Sequence, residues 1–381
     1  MVDSPQVRRR STDYCCDGAW RDPTLDVSDL IETTILVAAL NFRLETDGGC
    51  RGWIAMGRWS PFVIAFLALL APCGFAGEQQ GGGPTVPFSG NSDRSAGVTQ
   101  VLSIGGATIE VDFAPGALDV QPAQIISWIE RAARAVTVYY GRFPVQRVRV
   151  RVVPDSGNED SIHGTTWGNV GGFQGVTRMR LGRHVTGRDL ADDWTMTHEF
   201  VHMALSSLPD NQSWMEEGLA TYIEPIARAQ AGQLPVRQVW AGMVLSMSQG
   251  QPKRGDLGLD HTRSWGRTYW GGAMFCLVAD VEIRRKTENR KGLQDALRAI
   301  VASGGTIDKE WPLLKVLEIG DKATGTTVLV DMYSQWKDKP TTVDLENLWL
   351  ELGIRRSGTD GVELAAEALL SKIRDAITAR P

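Results

Sequence analysis

The sequence predicts an α+β fold, a strand-rich half followed by a helical half. Two observations carry this. Apolar and polar residues largely alternate with glycine punctuation up to residue 182, and from residue 189 onward apolar residues recur at helical spacing. The strands come grouped instead of each being followed by a helix, and no internal repeat breaks the division.

Taken in order, "VTQVLSIGGATIEVDF" alternates on either side of a Gly-Gly pair, the pattern of a hairpin. In "DVQPAQIISWIERAARAVTVYYGRF" Ile125, Ile126, Ile129, Ala133 and Val136 share a helical face before Pro144. "QRVRVRVV" alternates strictly and reads as a strand with one solvated face. "TTWGNVGGFQGVTRMRLG" is glycine-punctuated and partly alternating, which suits an edge strand or hairpin better than a core strand. Helices are expected over residues 190–208, 214–231, 238–248, 267–286 and 293–302. In the tail, "VDLENLWLELGI" and "GVELAAEALLSKIRDAI" offer amphipathic helices that should pack on the helical half.

The chain has 381 residues, 43% hydrophobic and 22% charged, with a net charge of -5. That balance gives no footing for a nucleic-acid partner, since no Lys/Arg run is interleaved with aromatics. Four of the five cysteines, Cys15, Cys16, Cys50 and Cys73, precede the segments that read as folded, leaving Cys276 alone among them. Within "MGRWSPFVIAFLALLAPCGFAGEQQGGG", Arg58 supplies a positive start and residues 62–70 an apolar run. Gly74-Phe75-Ala76 supplies a small-x-small cleavage site, which makes residues 56–76 a signal peptide. The expected start is then Met56, with residues 1–55 a gene-model artefact or disordered extension and the mature chain exported. The apolar run is broken by Pro61, Pro72 and Gly74 and falls short of the ~20 residues of a spanning helix. Lipid attachment at Cys73 is disfavoured by Pro72 beside it. Residues 77–97 read as a flexible linker, 98–304 as the main folded domain and 305–381 as a helical extension packed upon it.

"MTHEFVHMALSSLPDNQSWMEEGLATY" sets histidines and glutamates among residues apolar enough for a core. His198 and His202, four apart, stack on one helical face and can meet one ion, and Glu199 lies ~100° further round. Buried imidazoles and carboxylates need partners, and a divalent metal with Glu199 as general base would satisfy them. Pro209 should end that helix. Ser213 and Glu216 then form a capping box at the start of the next helix, which leaves Glu217 as third ligand. Acids also sit at helix starts merely to complement the dipole. Glu224 is a competing ligand two turns deeper.

"HEFVH" followed by "WMEEGLATY" resembles the gluzincin zinc peptidases, nearest to the glycyl aminopeptidase and aminopeptidase N branches. The resemblance covers about residues 165–302. It implies a thermolysin-like catalytic domain with an edge strand over the cleft, Zn2+ held by His198, His202 and Glu217, and Glu199 as base. In those branches a Tyr-x-x-Gly-Ala helix carries an oxyanion-stabilising tyrosine, which "TYWGGA" places at Tyr269; His261 is the alternative donor. The branches also carry an acidic strand motif that grips the substrate's amine. Here "GGFQG" stands in its place, with Gly172 and Gln174 as the substrate-binding residues. An amide cannot neutralise an ammonium group, so a peptide or protein substrate cut internally is expected, the peptide pairing along this strand. Two alternatives remain: an aminopeptidase with another amine anchor, and a catalytically silent envelope scaffold. His163 and His184 read as surface histidines, and Asp192 and Asp193 as helix-start charges or partners to a ligand histidine.

Overall fold

The computed structural model describes residues 100–158, 160–359 and 361–381. The readings of residues 1–55, 56–76 and 77–97, Cys73 included, lie outside the described residues. The N-terminal hairpin is present as β1 (Gln100–Ile104) and β2 (Ala107–Phe113), with Gly105 and Gly106 at its turn. Helix α1 (Pro122–Tyr140) follows, opened by Pro122 in its first turn and closed by Gly141 in the left-handed conformation. Then come β3 (Arg147–Asp155), β4 (Ile162–Val170) and β5 (Phe173–Gly182). The five strands form one sheet in the order β1-β2-β3-β5-β4, with β2, β3 and β5 parallel and both ends antiparallel. One βαβ unit, β2-α1-β3, therefore sits inside the α+β arrangement. The glycine-rich segment forms the expected hairpin, and β4 is its edge member.

Alternation decides which face of the sheet is covered. Ile109, Val111, Val148, Val150, Val152, Met179 and Leu181 are buried. The opposite face carries Arg149 paired with Glu110 and Asp112, and Arg180 with Asp155. Short α2 (Gly187–Asp192) leads to α3 (Thr195–His202), which packs on β4 and β5, and then to α4 (Ser213–Gln230). The single helix expected over residues 190–208 is thus two. Asp193 takes extended backbone between them, and its carboxylate accepts the Met196 amide at 3.1 Å, capping α3 instead of continuing α2. The second helix also ends before Pro209: beyond Met203 the chain bridges to the segment around Glu310, with Ser207 N donating to Lys309 O at 2.8 Å.

The remaining helices are α5 (Val236–Ser246), α6 (Gly272–Lys286), α7 (Leu293–Ala302), α8 (Leu313–Thr324), α9 (Val328–Trp336), α10 (Leu345–Glu351) and α11 (Ser371–Thr378). The tail does pack on the helical half, α9 on α6 and α11 on α4 and α6. It is not wholly helical, however. "GVEL" is strand β7 (Gly361–Leu364) paired with β6 (Ile354–Ser357), because Gly353 and Gly358, both at positive φ, turn the chain there. Among the described residues no helix is long and apolar enough to cross a membrane.

Two buried carboxylates fasten the helices around α4. Asp280 accepts from Tyr222 Oη at 3.0 Å, Arg284 Nε at 2.8 Å and the Leu293 amide at 2.9 Å, tying α4, α6 and α7 together. Asp260 accepts from Trp214 Nε1 at 2.7 Å and Tyr333 Oη at 2.8 Å, tying the start of α4 to α9. Between these clamps α4 meets α6 backbone to backbone: a Cβ on Gly218 would lie 2.7 Å from Ala273 N and overlap Gly272 Cα. Gly218→Ala is therefore expected to cost about 1–3 kcal/mol of stability through overpacking, read as a lowered urea midpoint. An unchanged midpoint would show that the two helices can part freely.

Candidate metal centre and catalytic cleft

Helix α3 is an eight-residue segment that is buried all round, and α4 packs against it. Its one-turn spacing brings the His198 and His202 rings to 4.9 Å at 86°. From just beyond the first turn of α4, Glu217 Oε2 reaches to 3.1 Å from His198 Nε2 and 3.5 Å from His202 Nε2. One donor atom of each residue lies within 4.8 Å of the others, and the side chains are 1–8% exposed. Burial works to raise the Glu217 pKa, but the charge of His202 and the hydrogen bonds from both imidazoles hold it well below the usual carboxylate range. Two imidazoles and an ionised carboxylate form the donor set of a zinc site with room for a further ligand. The three ligands predicted from sequence are thus brought together.

Glu199, fully buried, lies next to the ligands in the chain and faces the edge strand. Thr166 Oγ1 on β4 donates to Glu199 Oε2 at 2.6 Å and lies 3.0 Å from Thr177 Oγ1 on β5. Gly164 permits the approach, since a Cβ there would stand 2.6 Å from Glu199 Cδ. Tyr269 belongs to a single turn of π-helix, Arg267–Gly271, ahead of α6. Its ring stacks on His198 with centroids 6.3 Å apart. Such widened turns recur at functional sites because they re-aim side chains.

Other candidates have different employment. Glu216 does not close a capping box with Ser213; its Oε1 accepts the Leu208 amide at 2.8 Å and pins the loop between α3 and α4. Gln174 is engaged at the far end of the sheet, where its Oε1 accepts the Gln146 amide at 2.8 Å and its Nε2 donates to Asp308 at 3.4 Å. Gly175 beside it packs against Met203, whereas the strand residues against Glu199 are Gly164 and Thr166. Gly172, with φ 81°, forms the β4-β5 turn. His261 pairs with Asp338 at 2.8 Å on the surface, and His184 likewise with Asp119. His163, by contrast, is buried in β4 and is not a surface residue. Asp193 accepts from Trp128 Nε1 at 3.0 Å besides capping α3, and no ligand histidine is among these partners. Sequence reasoning passed over Gly164 and Thr166, since a glycine and a β-branched residue in a glycine-punctuated strand carry no chemical signature of their own.

No family model matches the chain, and no curated protein matches it in sequence. Solved structures do. One is an aminopeptidase N family protein from Idiomarina loihiensis, with a TM-score of 0.50, 13% identity, and coverage of 71% of this chain and 53% of that one. Another is an M1 zinc metallopeptidase from Deinococcus radiodurans, with a TM-score of 0.43, 14% identity, and coverage of 65% and 52%. The chain spans about half the length of each. The aminopeptidase N family structure shares the fold of this chain, and the histidine, histidine, glutamate cluster suits the gluzincin pattern.

Glu224, the competing ligand, is instead paired with Arg228 at 3.0 Å. Burial pushes its carboxyl up to about 7 from an ordinary 4.5, against the pull of Arg228 and helped by the charge of Asp193. The folded chain therefore keeps a proton here that the unfolded chain releases near 4.5, so this contribution to stability is full below pH 4.5 and is lost as pH rises to about 7. Glu224→Gln, which cannot ionise, should flatten that part of the stability profile in urea melts from pH 4.5 to 7.5. Identical slopes in both proteins would place the Glu224 pKa in the ordinary range.

Proposed function

We propose that this chain is a zinc-dependent peptidase. The observation that carries the reading is the convergence of His198, His202 and Glu217 with a buried Glu199 beside them. Zinc held by these three residues would supply Lewis acidity toward a carbonyl and a water. Glu199 takes the proton of the attacking water and delivers it to the leaving amine, and Thr166 holds one carboxylate oxygen so that its orientation is set. Tyr269, stacked on a ligand imidazole, is the group we assign to steady the oxyanion. Edge strand β4 offers backbone groups along which an extended peptide can pair. Retention of a buried base argues against a silent scaffold, which has no use for one.

Two cleavage modes are supported by different observations. The fold likeness to an aminopeptidase N family protein favours removal of N-terminal residues. With Gln174 engaged at the far end of the sheet, its lack of charge no longer speaks against that mode. Internal cleavage is favoured by the composition of β4, which has no Asp or Glu to hold an ammonium group. Residues 56–76 support action after export.

Glu199→Gln should keep the fold and bind zinc while losing about 100-fold or more of peptide turnover. Mass-spectrometric mapping of cuts in a peptide library, free and N-terminally blocked, reads both questions. Stepwise loss abolished by blocking means aminopeptidase action, and internal cuts mean an endopeptidase. Undiminished turnover in Glu199→Gln would overturn the assignment of the base.

A further inference from the structure

Four aromatic rings form a continuous row through the metal centre. Trp194 stands edge-on to His198, with centroids 5.3 Å apart at 83°. On His198 lies Tyr269, and on Tyr269 lies Trp265, 5.9 Å away and inclined by 27°. The middle two rings are buried, whereas the end ones are not: Trp194 is 39% exposed and Trp265 36%. Among the described residues they are the two tryptophans counted with the large apolar side chains left in water, while Trp128, Trp214 and Trp240 are almost wholly buried. By its apolar helical pattern Trp194 is expected to be buried with its neighbours, and its exposure departs from that expectation.

Leaving indole surface in water forgoes a large burial term, and aromatic surface of this kind at a recognition site is used when a partner covers it. Both exposed rings abut groups already assigned to the reaction, one in contact with a ligand imidazole and the other with the tyrosine. Whatever covers them lies beside His198 and Tyr269. We infer that Trp194 and Trp265 form apolar subsites, reached from opposite ends of the ring row, that select peptides with bulky apolar side chains such as Phe or Leu flanking the scissile bond. This specificity rests on the peptidase reading and adds to it the class of substrate.

The test compares peptides that differ only in the residues flanking the cut, Phe or Leu against Ala, with the zinc-loaded full chain, Trp194→Ala, Trp265→Ala and the two Phe replacements. The parent should prefer the bulky peptides by about tenfold or more in kcat/KM, the scale on which an apolar pocket discriminates. Each Ala variant should lose most of that preference, read as the ratio of kcat/KM between bulky and Ala-flanked peptides and arising mainly through KM; the Phe variants should retain it. Uniform losses on all peptides, or no preference in the parent, would overturn the subsites. Calorimetry of the same peptides on Glu199→Gln protein provides a reading independent of turnover, with about tenfold tighter binding of the Phe peptide expected and lost in the added Trp variants. If the parent cut nothing while this binding difference held, the peptidase reading would fail and the subsites would stand; equal binding would sink the subsites alone.

Discussion

The withdrawal of two imidazoles and a carboxylate from water at the crossing of α3 and α4 is the constraint to which the surrounding structure answers. None of these groups belongs in a core unless the others, or an ion, meet it there. Holding them within 4.8 Å requires two helices fixed in rotation and in height. Rotation of α3 is set by Asp193, whose carboxylate caps the helix and binds Trp128 of α1. Height of α4 is set at its first turn, where Glu216 takes the Leu208 amide and Trp214 donates to Asp260. The Gly218 contact with Gly272 then lets α6 approach closely, which brings the π-helical turn and Tyr269 over His198. Neighbouring residues on one short segment, "WMEEG", thus serve as anchor, loop pin, ligand and helix contact.

The tail takes part in this support. Tyr333 of α9 shares Asp260 with Trp214, and the segment around Ile307 closes on the chain leaving α3, with Ser207 Oγ donating to Ile307 O at 3.0 Å. Residues beyond 304 are therefore built into the surroundings of the ligands, even though their sequence shows amphipathic pattern and no chemistry. The fold likeness to an aminopeptidase N family protein holds at 13% identity, so most side chains can change while the arrangement of elements is kept.

Those few positions are what the sequence makes legible. His198, His202, Glu199 and Glu217 stand out because charged groups in an apolar helical pattern contradict their surroundings, and the α+β division follows from a change in periodicity. The places where pattern reading fails share a physical cause. The break at Asp193 is a competition between continuing a helix and capping the next, decided by a contact from Trp128, 65 residues away. Glu216 matches a local capping box, yet a buried amide on Leu208 outbids the local partner. Gln174 was placed by its position in a strand motif, and the sheet register puts Gly164 and Thr166 against Glu199 instead. In the tail, apolar spacing alone could not separate helix from the β6-β7 hairpin, which turns on glycine φ.

The metal centre is tested most directly by zinc K-edge X-ray absorption of the purified, zinc-loaded chain beside His202→Ala. One zinc per chain is expected, with imidazole scattering from two histidines and the remaining ligands oxygen, all at about 2.0–2.2 Å and with no sulfur. In His202→Ala one imidazole should be missing or the zinc lost. Zinc surrounded by water oxygens only, a sulfur ligand, or a spectrum indifferent to the loss of His202 would contradict this ligand set.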